Sequence, residues 1–316
     1  MATKTKKKRQ AGKRPPPPAA GGRTKPPFYR QRAVLALAAV AVAAAVAGVA
    51  AIATQRGGGG GATLSAGLPN TPDYHSLLVN PTNPRKLVLG THNGLYVSTD
   101  GGRHWRFDAL SGNDAMNLVR PGGQTIWLAG HEVFKKSSDG GVTWSDVRPA
   151  GLPSLDIHGF AVNARNPRTL YAAVAGEGLY RSRDGGRSFA LASNQVGGNV
   201  MALALLPDGR ILAGDMRQGV LESSDGGANW KQTLRAQLMG LAVNPSDPKR
   251  LLAAGAGIAL STDGGRSWRS VLDLADGVGP VAWSQSNPKL AYAVGFNRTL
   301  YRSADGGESW QPVEGS

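Results

Sequence analysis

Ser98-Thr99-Asp100-Gly101-Gly102-Arg103-His104-Trp105 is written, with variations, six times along a chain of 316 residues. It returns at Ser137–Trp144, Ser182–Phe189, Ser223–Trp230, Ser261–Trp268 and Ser303–Trp310, so the pattern is Ser-x-Asp-Gly-Gly-x-x-Trp with Phe189 the one aromatic exception. The aspartates Asp100, Asp139, Asp184, Asp225, Asp263 and Asp305 lie 39, 45, 41, 38 and 42 residues apart. A repeat of this length, with one turn signal and several short apolar runs per copy, is a unit that cannot bury its own face alone. Asp-Gly-Gly between β-rich runs marks a hairpin, since glycine takes the positive φ a tight turn needs. The serine and aspartate can satisfy turn amides locally, and the aromatic pins the turn to its neighbour.

Each copy reads as four strands. In the first they begin at Tyr74–Val79, return after Asn80-Pro81-Thr82-Asn83-Pro84, run through Gly94–Ser98 into the turn, and leave it at Trp105. Large residues recur at one level of the opening strand (Leu77, Leu118, Phe160, Leu203, Leu241, Trp283). Smaller ones precede them (Ser76, Asn117, Gly159, Ala202, Gly240, Ala282). Large on one sheet face and small on the other suits sheets stacked around an axis. The expectation is an all-β, six-bladed β-propeller over 73–316.

The six motifs resemble the Asp-box (BNR) repeat of sialidase-like, sortilin-like and photosystem II assembly factor-like propellers. The resemblance implies that the boxed aspartates are scaffold on the blade rim. It also implies binding of peptides or proteins over one face or in the channel, or, alternatively, glycosyl-hydrolase (exo-sialidase-related) chemistry. The second alternative is the weaker: the Arg-Ile-Pro start is missing, and Glu132, Glu177, Glu222, Glu308 and Glu314 offer no obvious Tyr–Glu nucleophile pair. An acid/base pair among Asp73, Asp114 and Asp156 would be another route to hydrolysis.

Charge is concentrated at the start. The whole chain carries +15, but residues 1–32 hold eleven Lys and Arg and no acid, and Arg56 adds one more. The other 24 basic residues face all 21 acids, leaving about +3. That balance argues against a nucleic-acid-binding domain. Residues 1–32, basic and proline-rich, are predicted to be a disordered cytoplasmic tail. Residues 33–54 carry no charge and as a helix would span about 33 Å, enough for a bilayer core. With the basic flank on the N-terminal side, the expected topology is a single-pass signal anchor with an extracytoplasmic propeller. The alternative is secretion after cleavage near Ala51-Ile52-Ala53. Residues 55–72, with Gly57–Gly61, read as a flexible linker. The chain has no cysteine.

Up-and-down strand order puts the start of each opening strand and the second hairpin turn on the face away from the boxes. The residue before the small position reads His75, Met116, His158, Met201, Met239 and Val281, and two residues earlier stand Asp73, Asp114 and Asp156 in the first three copies. The second turns add His92, His131 and, in the fourth copy, Met216 and Arg217. Imidazole with thioether suits copper and imidazole with carboxylate suits zinc. The candidate metal ligands are therefore His75, His92, His131, His158, Met116, Met201 and Met239, with Asp73, Asp114, Asp156 and Arg217 as ligand-binding candidates. The bland alternative is core packing by the methionines and inter-blade hydrogen bonds by the histidines.

Overall fold

The structure, a computed structural model, describes residues 65–315. Six antiparallel sheets follow one another along the chain. In blade one the strands are Tyr74–Val79, Leu87–Thr91, Gly94–Ser98 and His104–Ala109. Each pairs with its sequence neighbour, as in Leu77↔Leu89↔Tyr96↔Phe107. Blades two to six open with Asn117–Gly122, Ile157–Val162, Val200–Leu205, Leu238–Val243 and Val278–Trp283. These opening strands neighbour one another in chain order, and the first packs against the last, so the ring is closed.

The stacking rule read from the sequence is visible at the glycines. A Cβ at Gly159 would meet Val200 at 3.0 Å and Leu203 at 3.2 Å, both on the next blade, and one at Gly214 would meet Leu241 at 3.2 Å. Large side chains of one blade thus fill the space left by small residues of the blade before it. At the seam, Leu77, Leu87 and Trp105 of blade one share one core with Leu290, Tyr292 and Leu300 of blade six. The Tyr292 hydroxyl also donates to the Pro84 carbonyl at 3.3 Å.

The Asp-boxes are scaffold. In every copy the serine hydroxyl donates to its aspartate Oδ1 at 2.8–2.9 Å. The same hydroxyl accepts the N–H of the second glycine at 2.8–2.9 Å. Each tryptophan indole donates to that glycine's carbonyl at 2.9–3.2 Å. One regularity within the motif adds to the pattern read from the sequence. The residue before the aromatic is always short or polar (His104, Thr143, Ser188, Asn229, Ser267, Ser309), and its side chain closes on the aspartate Oδ2 at 2.5–2.7 Å. This accounts for His104, the histidine remote from the others.

The ordered propeller reaches back into the stretch read as linker. Ser65–Ala66 pairs with His104–Trp105 as a fifth strand of blade one, and Leu68 is buried in the seam core. The Tyr74 hydroxyl holds the Pro69 carbonyl at 2.8 Å. An exposed strand edge beside Trp105 is satisfied by this addition. The tail at 1–32 and the anchor at 33–54 lie outside the described residues. Among the described residues no helix is long and apolar enough to cross a membrane.

Candidate functional site

Seven residues from three blades converge at the mouth away from the boxes, and β-bulges aim two of them there. In blade one the pairing passes from Tyr74↔Thr91 to Ser76↔Gly90, leaving His75 unpaired. Blade three skips His158 in the same way. Blades four and five skip Met201 and Met239, and blade six is irregular between Val278 and Val281. A bulge places two residues opposite one and re-aims a side chain. Here it turns His75, Met201 and Met239 into the axial channel, while His158 meets His131 of the neighbouring blade. Strict alternation along a strand gives no hint of this. The sequence signal is only that the same position carries His or Met where its neighbours are apolar.

Inter-blade hydrogen bonds set the spacing. Ser76 of blade one donates to the Ala115 carbonyl at 2.7 Å, and the Ala115 N–H donates to the Thr91 carbonyl at 3.0 Å. Asn117 of blade two donates to the His158 carbonyl at 3.0 Å and accepts the Phe160 N–H at 3.1 Å. A Cβ on Gly130 would lie 2.0 Å from the Asp114 carbonyl oxygen, so only glycine lets the end of that strand pass so close. His92 and His131 come from two-residue turns, between Thr91 and Gly94 and between Gly130 and Val133.

His75 Nε2 lies 3.0 Å from Asp73 Oδ1 and 3.5 Å from Asp114 Oδ1. His92 Nδ1 is 3.1 Å from Asp73 Oδ1, 3.2 Å from Asp114 Oδ2 and 2.5 Å from His75 Nε2. His131 turns Nδ1 to Asp114 Oδ2 at 2.9 Å and Nε2 toward Asp156 Oδ1 at 3.5 Å. His158 Nε2 stands 3.1 Å from Asp156 Oδ1 and 2.9 Å from His131 Nε2. Asp73, His75 and His92 form one group able to hold an ion, and His131, Asp156 and His158 form another.

Burial alone would raise the Asp114 pKa, but the imidazoles of His131 and His92 outweigh it and hold the carboxyl well below the usual range. The same carboxylate raises His92 and His131, while burial lowers His158. Asp114 is the most buried of the three mouth carboxylates. A general acid for glycoside hydrolysis needs a raised pKa, so Asp114 is unsuited to that task. Among the described residues, no tyrosine hydroxyl hydrogen-bonds a glutamate. Glu222 pairs with Arg210, and Glu308 with Arg250 and Arg269.

The methionines meet this cluster only at His75. Met116, Met201 and Met239 line the axial channel with His75 and Val281, a cavity of about 100 Å³. No hydrogen bond joins their sulfurs to the histidines. Met216 is on the rim, and Arg217, in the second turn of blade four, makes no ion pair with Asp73, Asp114 or Asp156.

The box face carries a separate cleft of about 530 Å³ between blades two and three. Trp127, Lys136, Pro167, Arg168, Asp184 and Arg187 line it. Lys136 lies over the Trp127 ring at 4.9 Å, and neither Lys136, Arg168 nor Arg187 has a carboxylate partner. Sequence reading passed over this cleft because its cations come from one strand and two unrelated turns.

Residues 78–315 match the family described as photosynthesis system II assembly factor YCF48. The chain belongs to that family. It is similar to the photosystem II assembly lipoprotein Ycf48 of Synechococcus sp. (strain CC9902), with 25% identity over 240 residues, covering 71% of this chain and 70% of the relative. A solved structure of YCF48 bound to D1 peptide shares 20% identity with a TM-score of 0.51, covering 80% of this chain and 84% of that one. The xyloglucanase of glycoside hydrolase family 74 from Xanthomonas campestris shares 18% with a TM-score of 0.54, covering 80% and 47%. At these identities the solved structures show the propeller fold alone. They include both an assembly factor and hydrolases.

Proposed function

We propose that the chain is a membrane-tethered, extracytoplasmic binding propeller that holds an extended segment of a partner protein, with a copper- or zinc-class ion at the mouth. The observation that carries the reading is the family match along the propeller, joined to a cleft whose cations have no carboxylate partner. The names of two similar proteins, an assembly lipoprotein and a YCF48 bound to a peptide, support the same direction. Unpaired arginines beside an indole favour a peptide that brings a carboxylate and an apolar side chain. The uncharged stretch at 33–54, with its basic flank on one side, supports the tether.

Fluorescence polarisation with labelled acidic, neutral and basic peptides tests the cleft. Acidic peptides should bind most tightly, and Lys136→Glu with Arg168→Glu should weaken them at least about tenfold, the scale of lost charge-assisted bonds. Equal affinity for the charge-reversed protein would end this reading. Deleting residues 1–54 should move the protein from the membrane to the soluble fraction.

A further inference from the structure

Three carboxylates and four imidazoles crowd the mouth, yet their geometry is not that of a hydrogen-bonded network. Asp73 Oδ1, Asp156 Oδ1 and both oxygens of Asp114 are buried and accept no hydrogen bond. Ring nitrogens stand 2.9–3.5 Å from them without meeting the geometry of a hydrogen bond. A buried, unsatisfied carboxylate is costly, and four such oxygens at one opening call for a partner outside the protein.

The spacings identify the partner. Ligands about 2.1 Å from a zinc-class ion form a tetrahedron with edges of roughly 3.4 Å, and six-coordination shortens those edges to about 2.9 Å. The N···O separations here lie along such edges. The 2.5 Å contact between His75 and His92 is shorter than either and would open by some tenths of an ångström around an ion.

We propose that the mouth holds two divalent transition-metal ions in unequal sites joined by Asp114. The first site takes Asp73, His75 and His92, which already lie together, and draws in Asp114, whose oxygens stand 3.5 and 3.2 Å from His75 and His92. The His75 and Asp114 side chains are 9% and 10% exposed, those of Asp73 and His92 33% and 36%. The second takes His131 Nε2, Asp156 and His158, three ligands with a fourth position open to solvent, and His131 is 46% exposed. A closed set with four protein ligands is characteristic of structural zinc, and a three-ligand set of sites that accept an outside ligand. Asp114 serves both. Its carboxylate faces the nitrogens of the first site, and Oδ2 lies 2.9 Å from Nδ1 of His131, the ring whose Nε2 belongs to the second. The donor set is nitrogen and oxygen, which favours zinc over a thioether-bound copper.

This inference rests on the metal reading above and sharpens it to two ions and their ligands. Full-length chain, purified in detergent without a His-tag and stripped with chelator, is dialysed against rising Zn²⁺ and its bound zinc counted per chain. Parallel titration with Co²⁺ reads coordination from the visible spectrum. The expected result is two ions in two steps. His158→Ala should lose one step and His92→Ala the other. Asp114→Asn should weaken the second site 10- to 100-fold while disabling the first. Saturation at one ion would overturn the two-site proposal and leave the metal reading standing; no uptake of Zn²⁺, Co²⁺ or Cu²⁺ would end both. Loss of uptake in Met116→Leu/Met201→Leu/Met239→Leu would overturn the nitrogen–oxygen assignment. Should His92→Ala fail to fold, the wild-type Co²⁺ titration still decides between one chromophore and two.

Discussion

Asp100 and Asp114 are the same residue fourteen positions apart, and the protein uses them in opposite ways. The Asp100 carboxylate accepts the Ser98 hydroxyl, the N–H groups of Arg103 and His104, and the His104 ring. Every box aspartate is occupied similarly. Asp114, Asp73 and Asp156 are beside imidazoles but hold buried oxygens that accept nothing directed. Where the repeat is kept, polar capacity is spent inside the turn; where three blades depart from it, capacity is left over. The contrast separates scaffold from site without any appeal to what the protein does.

Acid should test the scaffold half of the contrast with the largest effect, because it acts on all six boxes together. Their carboxyls lie below the usual range, near 2 for Asp100, Asp225 and Asp263, and lower than ordinary for Asp139, Asp184 and Asp305. For Asp139, Asp184 and Asp225 the hydrogen bonds of the turn are the leading cause; for Asp100 and Asp305 they overcome an opposing burial effect. A depressed folded-state pKa contributes stability that is fully present above the unfolded value near 3.9 and lost as pH falls through the folded one. The melting temperature should therefore be insensitive to these groups above about pH 5 and drop steeply between about pH 4 and 2. A flat profile down to pH 2 would mean the turns do not hold their aspartates ionised.

A single box can be broken next. Ser182 is 1% exposed and joins Asp184 to the Gly186 N–H. Ser182→Ala leaves that buried N–H without an acceptor, at a cost of about 1–3 kcal/mol measured by denaturant unfolding. The mouth should respond differently. His158→Ala removes a partly exposed ring whose pKa burial lowers, and the ion-free protein should lose less than about 1 kcal/mol. Comparable losses at both positions would erase the distinction drawn here.

Blade number and box positions were legible because six near-copies state them redundantly, and Ser98-to-Trp105 carries its own turn chemistry. The mouth was half legible. His75, His92, His131 and His158, with Asp73, Asp114 and Asp156, could be placed on one face by strand order, and the structure brings those seven together. The bulges that set where His75 and His158 point depend on register, which is a tertiary property. The basic cleft was not legible, since Lys136, Arg168 and Arg187 share no spacing. The fifth strand of blade one was hidden because Ser65–Ala66 has no pattern of its own and is held by what Trp105 offers.

The finest test concerns how the mouth is built. Glu132 follows His131 in its two-residue turn with φ of 55°, a left-handed conformation that disfavours a residue with a Cβ. The corresponding turn in blade one reads His92-Asn93 and keeps its positive φ on Gly94. Glu132→Gly relieves the conformational strain but gives the unfolded chain more freedom, two effects of opposite sign and about 1 kcal/mol each. The net change in stability should therefore stay within about 1 kcal/mol by thermal unfolding. Holding His131 is a separate matter. If the turn is strained in order to present the ring to Asp114 and Asp156, glycine will loosen the ring and weaken metal retention while stability hardly changes. Stability and retention falling together would instead mark Glu132 as part of the scaffold, and the boundary between the two regions would move one residue into the mouth.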